Sequence, residues 1–234
     1  MPAPELPIAE LPVPELPIPE LPTRELPTAG LWAWPALCAL LGAASVAVWL
    51  LGGPAMDDTS LAARLVWQPG SWWQRPWTLW TAPLVHLSGV HLAANALALA
   101  ALAVLGRALH AGRPATIALL LAWPLTTLTL LAWPQIGHYS GLSGLIHAQV
   151  LILWSLLAIH SIAKPLSFVL FAGIGLKLLT EHAWSQPMVF DPNWGFNVVV
   201  AAHLGGALVG AACGVGAAVA QARRDATLDA RPLV

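Results

Sequence analysis

Two polar residues stand out because they lie in apolar surroundings and together could perform nucleophilic chemistry. Ser143 begins an uncharged apolar stretch that continues to Ile159, and His203 lies 60 residues further on inside another apolar stretch. Polar side chains at membrane depth are costly, so they are candidates for function. A serine hydroxyl is a weak nucleophile that a neighbouring base activates. The two residue types therefore predict serine-dependent hydrolysis within a membrane domain.

The residues around Ser143 suit a nucleophile at the start of a helix. In the motif Gly141-Leu142-Ser143-Gly144, the two glycines permit a tight entry turn and close backbone approach. The N-terminus of a helix also presents unpaired backbone N–H groups, which would point at a reacting oxygen. The motif alone is a weak indication, because small residues are common in membrane helices simply for packing.

His203 precedes a stripe of glycines that predicts close helix packing. Gly206, Gly210 and Gly214 recur every four residues and form a flat face that another helix can approach. His203 falls one turn before Gly206 on nearly the same face, so it could meet Ser143 at the start of the other helix. The alternative is a structural histidine that hydrogen-bonds between helices.

The second apolar segment contributes a further polar group, His86, His91 and Asn95. His91 and Asn95 are four residues apart and therefore share one helical face. Hydrogen-bond donors on one face suit an oxyanion hole, which stabilises the charge of a tetrahedral intermediate. His86 is assigned a supporting place beside them. The alternative is a polar clasp between helices.

A transporter or metal site formed by His86, His91 and His203 is another possible interpretation. His86 and His91 are five residues apart, a poor spacing for one metal on one helix, and no carboxylate accompanies them. The membrane part also lacks the internal repeat that many transporters have. We therefore expect neither a metal nor an organic cofactor.

His147 is the rival to His203 as the base, because it lies four residues after Ser143 on the same helix. Its side chain starts one turn deeper in the membrane and would have to bend back to reach the hydroxyl. We therefore assign the base to His203 and expect His147 to pack beside it and fix its ring. No aspartate accompanies the pair, so we expect packing to orient His203.

Lys177 and Glu181 are charged residues within the fifth apolar segment. They are four residues apart, and the simplest interpretation is an ion pair that makes two charges tolerable inside a membrane. The alternative is that they contact polar groups of a substrate.

The composition indicates a membrane protein. The chain has 234 residues, of which 58% are hydrophobic and 9% are charged, whereas a soluble domain has about 25% charged residues. The net charge of −1 and the lack of a basic patch give no indication of a nucleic-acid partner. Cys38 and Cys213 lie in apolar stretches, where buried, inert thiols are expected.

Six apolar segments, most of them close to the ~20 residues that cross a bilayer, predict an all-α membrane domain over residues 30–222. They are Leu31–Leu51, Val85–Leu105, Ala115–Trp133, Leu142–Ile159, Leu166–Trp184 and Phe196–Ala220.

Residues 1–29 carry a repeat in which a glutamate precedes Leu-Pro every five residues. Proline at this density predicts a disordered tail, or alternatively a docking motif. Residues 223–234 are expected to form a short cytoplasmic tail.

The distribution of lysine and arginine predicts that both termini are cytoplasmic. In that orientation only Arg64 and Arg75, among the basic residues outside the apolar segments, face outward. The helix of Ser143 then begins at the outer side, which places the chemistry near the outer leaflet.

The first outer loop, residues 52–84, is rich in tryptophan. Because tryptophan prefers the lipid–water interface, this loop is expected to lie partly in the outer leaflet.

These residues, in this order and spacing, resemble the rhomboid intramembrane serine proteases over residues 30–222. The resemblance is carried by His86, His91 and Asn95, by the Gly-Leu-Ser-Gly start of segment four, and by Ala202-His203 with Gly206 and Gly210. It implies a six-helix bundle, a Ser143–His203 dyad and oxyanion donors at His91 and Asn95. Arg75-Pro76-Trp77 also resembles the membrane-embedded loop of that family.

Within that family the chain most resembles the rhombosortase subgroup of bacterial rhomboids. The shared features are Gly-Leu-Ser-Gly-x-x-His and the pair Lys177 and Glu181. They imply an inner-membrane enzyme whose substrates are exported proteins with a C-terminal Gly-Gly motif, a membrane helix and a basic end. His147 stands where many rhomboids have an aromatic residue. A non-catalytic rhomboid relative that binds and escorts membrane helices is the alternative.

Overall fold

A computed structural model describes residues 30–53, 60–160 and 163–229. The proline-rich repeat, and with it the expected disordered tail, lies outside the described residues. Eight α-helices occur in the described part of the chain: α1 (Ala33–Gly52), α2 (Leu61–Leu65), α3 (Thr78–Thr81), α4 (Gly89–Ala108), α5 (Arg113–Thr129), α6 (Ser143–Ile159), α7 (Lys164–Glu181) and α8 (Val200–Asp229). Single 3₁₀ turns follow α3 at Ala82–Leu84 and α5 at Leu130–Ala132.

Each of the six apolar segments expected from the sequence corresponds to one of the longer helices. Four stretches among the described residues are long and apolar enough to cross a membrane: Ala33–Gly52, Gly89–Ala108, Arg113–Ala132 and Val200–Arg224. Helix α6 is apolar but shorter, with 17 residues. Helix α7 falls outside that set and carries Lys177 and Glu181. The count of six spans therefore stays a prediction.

The prediction of an all-α domain is wrong in one place. Strands β1 (Val189–Asp191) and β2 (Phe196–Val198) form an antiparallel hairpin between α7 and α8, with Phe190 opposite Asn197. Because Phe196–Val198 pair as a strand, the last helix begins at Val200 and not at Phe196. That helix continues to Asp229, beyond the expected boundary of the membrane domain at residue 222.

Helix α6 lies at the centre of the bundle and is buried on most of its surface. It packs most extensively against α8, and the glycine stripe of α8 makes this possible. A Cβ on Gly206 would collide with the carbonyl oxygen of Gly144, and one on Gly210 with that of Ala148. The close approach predicted from the glycine spacing is confirmed, and it brings the start of α6 against the start of α8.

Helix α7 is the most weakly packed of the long helices. None of its residues is fully buried, and large apolar side chains such as Phe168, Leu176 and Leu179 are exposed. Its contacts are to α6 and, more sparsely, to α8. Its last turn, which carries Glu181, is the part that reaches the site described below.

The tryptophan-rich loop is tied to the segment that precedes Ser143. Trp67 is fully buried and forms a two-bond antiparallel bridge with Tyr139, at N···O distances of 3.2 and 2.9 Å. Trp73, Trp77 and Trp80 are exposed. The loop therefore has an inner side that supports the Ser143 segment and an outer side that displays aromatic rings.

Candidate active site

The turn that enters α6 is held by hydrogen bonds from both sides. Gly141 has φ of +110°, a conformation that favours glycine. Its N–H donates to the carbonyl of Ala82 (3.1 Å), and its own carbonyl accepts from the Tyr139 hydroxyl (2.7 Å). Tyr139 is buried in this turn, and burial raises the pKa of its hydroxyl well above the usual range. Sequence reasoning missed Tyr139, which carries no motif of its own.

Ser143 and His203 meet across the interface between α6 and α8. The Ser143 Oγ lies 2.9 Å from the Nε2 of His203, within hydrogen-bond distance. The two helices can approach this closely because Gly144 and Gly206 lack side chains where they touch. His203 is buried and Ser143 is partly buried, so the contact is largely shielded from bulk solvent.

Glu181 is the third member of this arrangement, and here one expectation is wrong. Packing does not orient His203 unaided, because the Nδ1 of His203 lies 2.9 and 2.8 Å from the two carboxylate oxygens of Glu181. A carboxylate only accepts hydrogen bonds, so the Nδ1 must carry the proton. In a neutral ring the Nε2 is then the acceptor, as hydrogen bonding from the Ser143 hydroxyl requires.

Lys177 completes a chain of charges along the last turns of α7. Its Nζ donates to Oε1 of Glu181 at 2.6 Å, so the ion pair expected from the spacing is present. The two side chains differ in access, since Lys177 is 49% exposed and Glu181 only 15%. Glu181 therefore points inward to His203, while Lys177 reaches outward.

His147 packs on His203 as expected from the sequence. The two imidazole rings are stacked, with centroids 4.3 Å apart and planes 6° apart. The Nδ1 of His147 lies 2.7 Å from the carbonyl oxygen of Ser143 and must donate to it. This bond ties His147 to the backbone of Ser143, whereas His203 contacts the hydroxyl.

His86 and Asn95 form a bonded pair beside the Ser143 turn. The Nδ1 of His86 donates to the carbonyl of Leu84 (3.1 Å), so its Nε2 accepts from the Asn95 side-chain amide (3.1 Å). His86 lies in the loop before the span that begins at Gly89, and burial lowers its pKa to about 4. It is therefore neutral near pH 7, as its acceptor role requires. The sequence placed His86 nearby but did not predict this bond.

His91 lies against the Ser143 turn from the side of α4. Ser88 caps α4 by accepting from the His91 N–H at 3.2 Å, which places His91 in the first turn of the helix. A Cβ on Gly141 would come 2.9 Å from Cε1 of His91. The His91 ring also packs against Trp194 and Phe196 of the hairpin, with centroids 5.4 and 5.2 Å away. Its Nδ1 is buried without a partner among the described residues.

A cavity of about 430 Å³ joins these side chains into one site. The predicted site residues on its wall are His91, Asn95, Ser143, His147, Lys177, Glu181 and His203. The hairpin contributes Val189, Asp191, Trp194 and Val198 to the same wall. Of the residues predicted from the sequence, His86, Gly141 and Gly144 lie outside this wall and support it from behind. The hairpin residues carried no sequence signal that would have identified them.

A second, much smaller cavity of about 20 Å³ opens between β2 and the segment before α6. It is lined by His91, Ser143, His138–Ser140 and Phe196–Val199, among others. Its volume is close to that of one water-sized probe. Ser143 therefore lines both a roomy cavity and a narrow slot.

The side chains of His147, Glu181 and His203 offer ligand atoms within 4.8 Å of one another, which raises the question of a metal site. Ring nitrogens bind a metal in the plane of the ring. The planes of His147 and His203 are stacked 6° from parallel, so their lone pairs run side by side and do not converge on one ion. The arrangement fits a metal poorly and fits proton transfer well.

Comparison with known proteins finds one family. A family model described as "Rhomboid domain" matches residues 73–219, which is more than half of the chain. The matched region contains every residue of the site described above. No curated protein matches the chain.

Proposed function

Because the chain belongs to the rhomboid family, we propose that it is an active intramembrane serine protease with Ser143 as nucleophile and His203 as general base. Members of this family are generally serine proteases, although some are inactive. The observation that carries the proposal is the 2.9 Å contact between the Ser143 Oγ and the His203 Nε2. That distance lies within the range expected for a nucleophile and its base.

The reaction follows from this contact. His203 Nε2 takes the hydroxyl proton as the Ser143 Oγ bonds to the scissile carbonyl carbon, and a tetrahedral oxyanion forms. His203 then gives the proton to the departing amine, which leaves an ester on Ser143. A water molecule hydrolyses the ester by the same steps, and the proton returns to Ser143.

We assign stabilisation of the oxyanion to His91, Asn95 and the backbone N–H of Ser143. The side chains of His91 and Asn95 both line the cavity that contains the Ser143 hydroxyl. His86 fixes the Asn95 amide by accepting one of its two N–H groups at 3.1 Å. The second N–H of that amide is left to donate to a substrate. Preorganised donors of this kind need no rearrangement when charge develops.

We further propose that the substrates belong to the class cut by rhombosortases, with a C-terminal Gly-Gly motif before a membrane helix and a basic end. The Gly-Leu-Ser-Gly-x-x-His motif and the Lys177–Glu181 pair, which resemble that subgroup, support this. Lys177 lines the wider cavity with donor capacity to spare. It is proposed to contact carbonyl groups of the substrate.

The proposed location is the bacterial inner membrane, with both termini in the cytoplasm and the site near the outer face. The distribution of lysine and arginine supports this orientation. The exposed rings of Trp73, Trp77 and Trp80 would then lie at the outer interface. The bilayer is a partner of the protein in this arrangement.

The alternative is a non-catalytic relative that binds and escorts membrane helices. It would need neither a bonded Ser143 and His203 nor a cavity that opens onto the hydroxyl. Both features argue for chemistry, and a serine-reactive probe separates the two functions.

The test is cleavage of a membrane-anchored substrate by purified protein in liposomes. The substrate carries Gly-Gly, a transmembrane helix and a basic C-terminus, and a matched substrate carries Val-Val in place of Gly-Gly. We expect wild type to cut the Gly-Gly substrate faster, and Ser143→Ala to cut neither while keeping its thermal stability. Equal cleavage by Ser143→Ala would refute the mechanism. Equal rates on the two substrates would refute the substrate class alone.

A further inference from the structure

The carboxylate of Glu181 occupies an unusual place for a charge in an apolar helix. Its side chain is 15% exposed, and its two oxygens are shared between Lys177 on the same helix and His203 on another. An ion pair with Lys177 alone would require only one oxygen and no inward orientation. The additional contact with His203 therefore calls for an explanation in terms of the histidine.

We infer that Glu181 is a positioning residue that turns the Ser143–His203 pair into a Ser–His–Glu triad. This inference rests on the proposed protease function, since a positioned base has a task only if Ser143 is a nucleophile. Glu181 does not touch the substrate in this role. It acts through His203, by selecting the protonated nitrogen and by stabilising the charge that the ring acquires.

The first effect is the choice of tautomer. A neutral imidazole carries its proton on either nitrogen, and only the form with Nδ1–H leaves Nε2 free to take a proton from Ser143. Both Glu181 oxygens accept at Nδ1, at 2.9 and 2.8 Å, and so favour that form. The stacked His147 cannot replace them, because its ring plane is nearly parallel to that of His203, so its nitrogen lone pairs do not point at Nδ1. Stacking fixes the plane of the His203 ring but does not determine which of its nitrogens carries the proton.

The second effect is electrostatic. His203 becomes positively charged when it takes the serine proton, and its titratable or charged neighbours are His91, His147, Lys177 and Glu181. Of these only Glu181 supplies negative charge, and both of its oxygens contact the ring. Asp191 of the hairpin lines the same cavity, but its carboxylate accepts from the Asn193 N–H. In a site of low dielectric constant an adjacent carboxylate stabilises an imidazolium much more than it would in water.

Lys177 makes this carboxylate tolerable and also fixes its position. The Lys177–Glu181 pair is neutral overall, which reduces the cost of holding a carboxylate within an apolar helix. The 2.6 Å bond holds Oε1 on the side of Lys177. The two charges therefore have separate tasks, because Glu181 has both oxygens occupied and Lys177 keeps free N–H donors.

The variant Glu181→Gln tests this arrangement sharply. Lys177 would hold the amide oxygen at the Oε1 position, so the amide NH₂ would take the place of Oε2, which lies 2.8 Å from Nδ1 of His203. As a donor at that place it favours the ring that carries its proton on Nε2, the wrong nitrogen for a base, and only the Oε1 position is left to accept from Nδ1–H. Glu181→Gln keeps the shape of the side chain, whereas Glu181→Asp keeps the charge and loses a methylene group. If Glu181 acts in a triad, Glu181→Asp should react faster than Glu181→Gln. If Glu181 only fills space, Glu181→Gln should be the faster variant.

The experiment measures two rates in purified, folded variants: labelling by a small fluorophosphonate and cleavage of the Gly-Gly substrate. We expect Glu181→Gln to slow both by about 10³–10⁴-fold, as loss of the orienting carboxylate does in other triads, and Glu181→Asp to be slowed less. Leu179→Ala is the matched control, because this residue lies on the same turn of α7 but its side chain is exposed and does not line the cavity. It should label at the wild-type rate, with thermal stability measured for all variants.

A second readout is independent of activity. In Ser143→Ala protein, the ¹⁵N resonances of the His203 ring report which nitrogen carries the proton. We expect the Nδ1–H form with Glu181 and the Nε2–H form with Glu181→Gln. Unchanged ring resonances, or Glu181→Gln labelling as fast as wild type, would overturn the triad while leaving the protease intact. A wild type that is not labelled would instead overturn the proposed function.

Discussion

The imidazole rings of His147 and His203 are stacked 4.3 Å apart, with an angle of 6° between their planes. His147 is anchored by its own bond to the Ser143 carbonyl, at 2.7 Å. The His147 ring therefore packs on His203 without competing with it for the Ser143 hydroxyl. This relationship supports the proposed assignment of the base to His203 and of a packing role to His147.

Substitutions of the two histidines should have different effects. We expect His203→Ala to lose about 10⁴-fold or more in kcat, as removal of a catalytic base does. His147→Phe should keep measurable activity, because an aromatic ring can still stack on His203. Cleavage of the Gly-Gly substrate, with thermal stability as the folding control, measures both. An inactive His147→Phe together with an active His203→Ala, both folded, would reverse the assignment of the base.

The donors on α4 should affect turnover more than binding. Asn95→Ala and His91→Ala remove groups proposed to meet charge that develops only in the transition state. Loss of one such donor typically lowers kcat by about 10²–10³-fold, and we expect the lower end because other donors remain. Steady-state kinetics in detergent separates kcat from KM. A rise in KM with kcat intact would contradict the oxyanion role.

The glycine stripe of α8 offers a test of how the helices that carry Ser143 and His203 are held together. Gly206→Ala places a methyl group against the Gly144 backbone, and such overpacking typically costs about 1–3 kcal/mol. We expect a lower unfolding temperature and lower activity, because Ser143 and His203 lie beside this contact. Gly216→Ala is the control on the same helix, since a Cβ there meets nothing within 4 Å.

That control should be neutral or slightly stabilising, because alanine is a better helix former than glycine. Thermal unfolding in detergent compares the two variants directly. If Gly206→Ala were as stable and as active as Gly216→Ala, the close contact between α6 and α8 would not hold the site together.

The residues proposed to carry the chemistry could be predicted from the sequence because each has a local signal. Ser143 sits between glycines at a helix start, and His203 precedes a four-residue glycine repeat. The same spacing rules placed His147 beside His203 and paired Lys177 with Glu181. Each of these predictions uses only the periodicity of a helix, or the need of polar groups for partners in an apolar setting.

Other parts of the site depend on tertiary structure alone. The hairpin strand Phe196–Val198 was predicted to be the start of the last apolar helix, because a short apolar run does not distinguish a strand from a helix. Tyr139 and the bridge to Trp67 join distant segments that share no sequence pattern. The bond between His86 and Asn95 depends on how the loop before α4 folds back onto that helix.

The contacts of Glu181 could be predicted from the sequence only in part. A carboxylate inside an apolar segment signals function, and its partner four residues earlier can be read from the chain. Its contact with His203, 22 residues away on another helix, depends on the rotation of α7 about its own axis relative to α8. That rotation depends on how α7 packs on α6 and, more sparsely, on α8, so only the assembled bundle places the carboxylate on Nδ1.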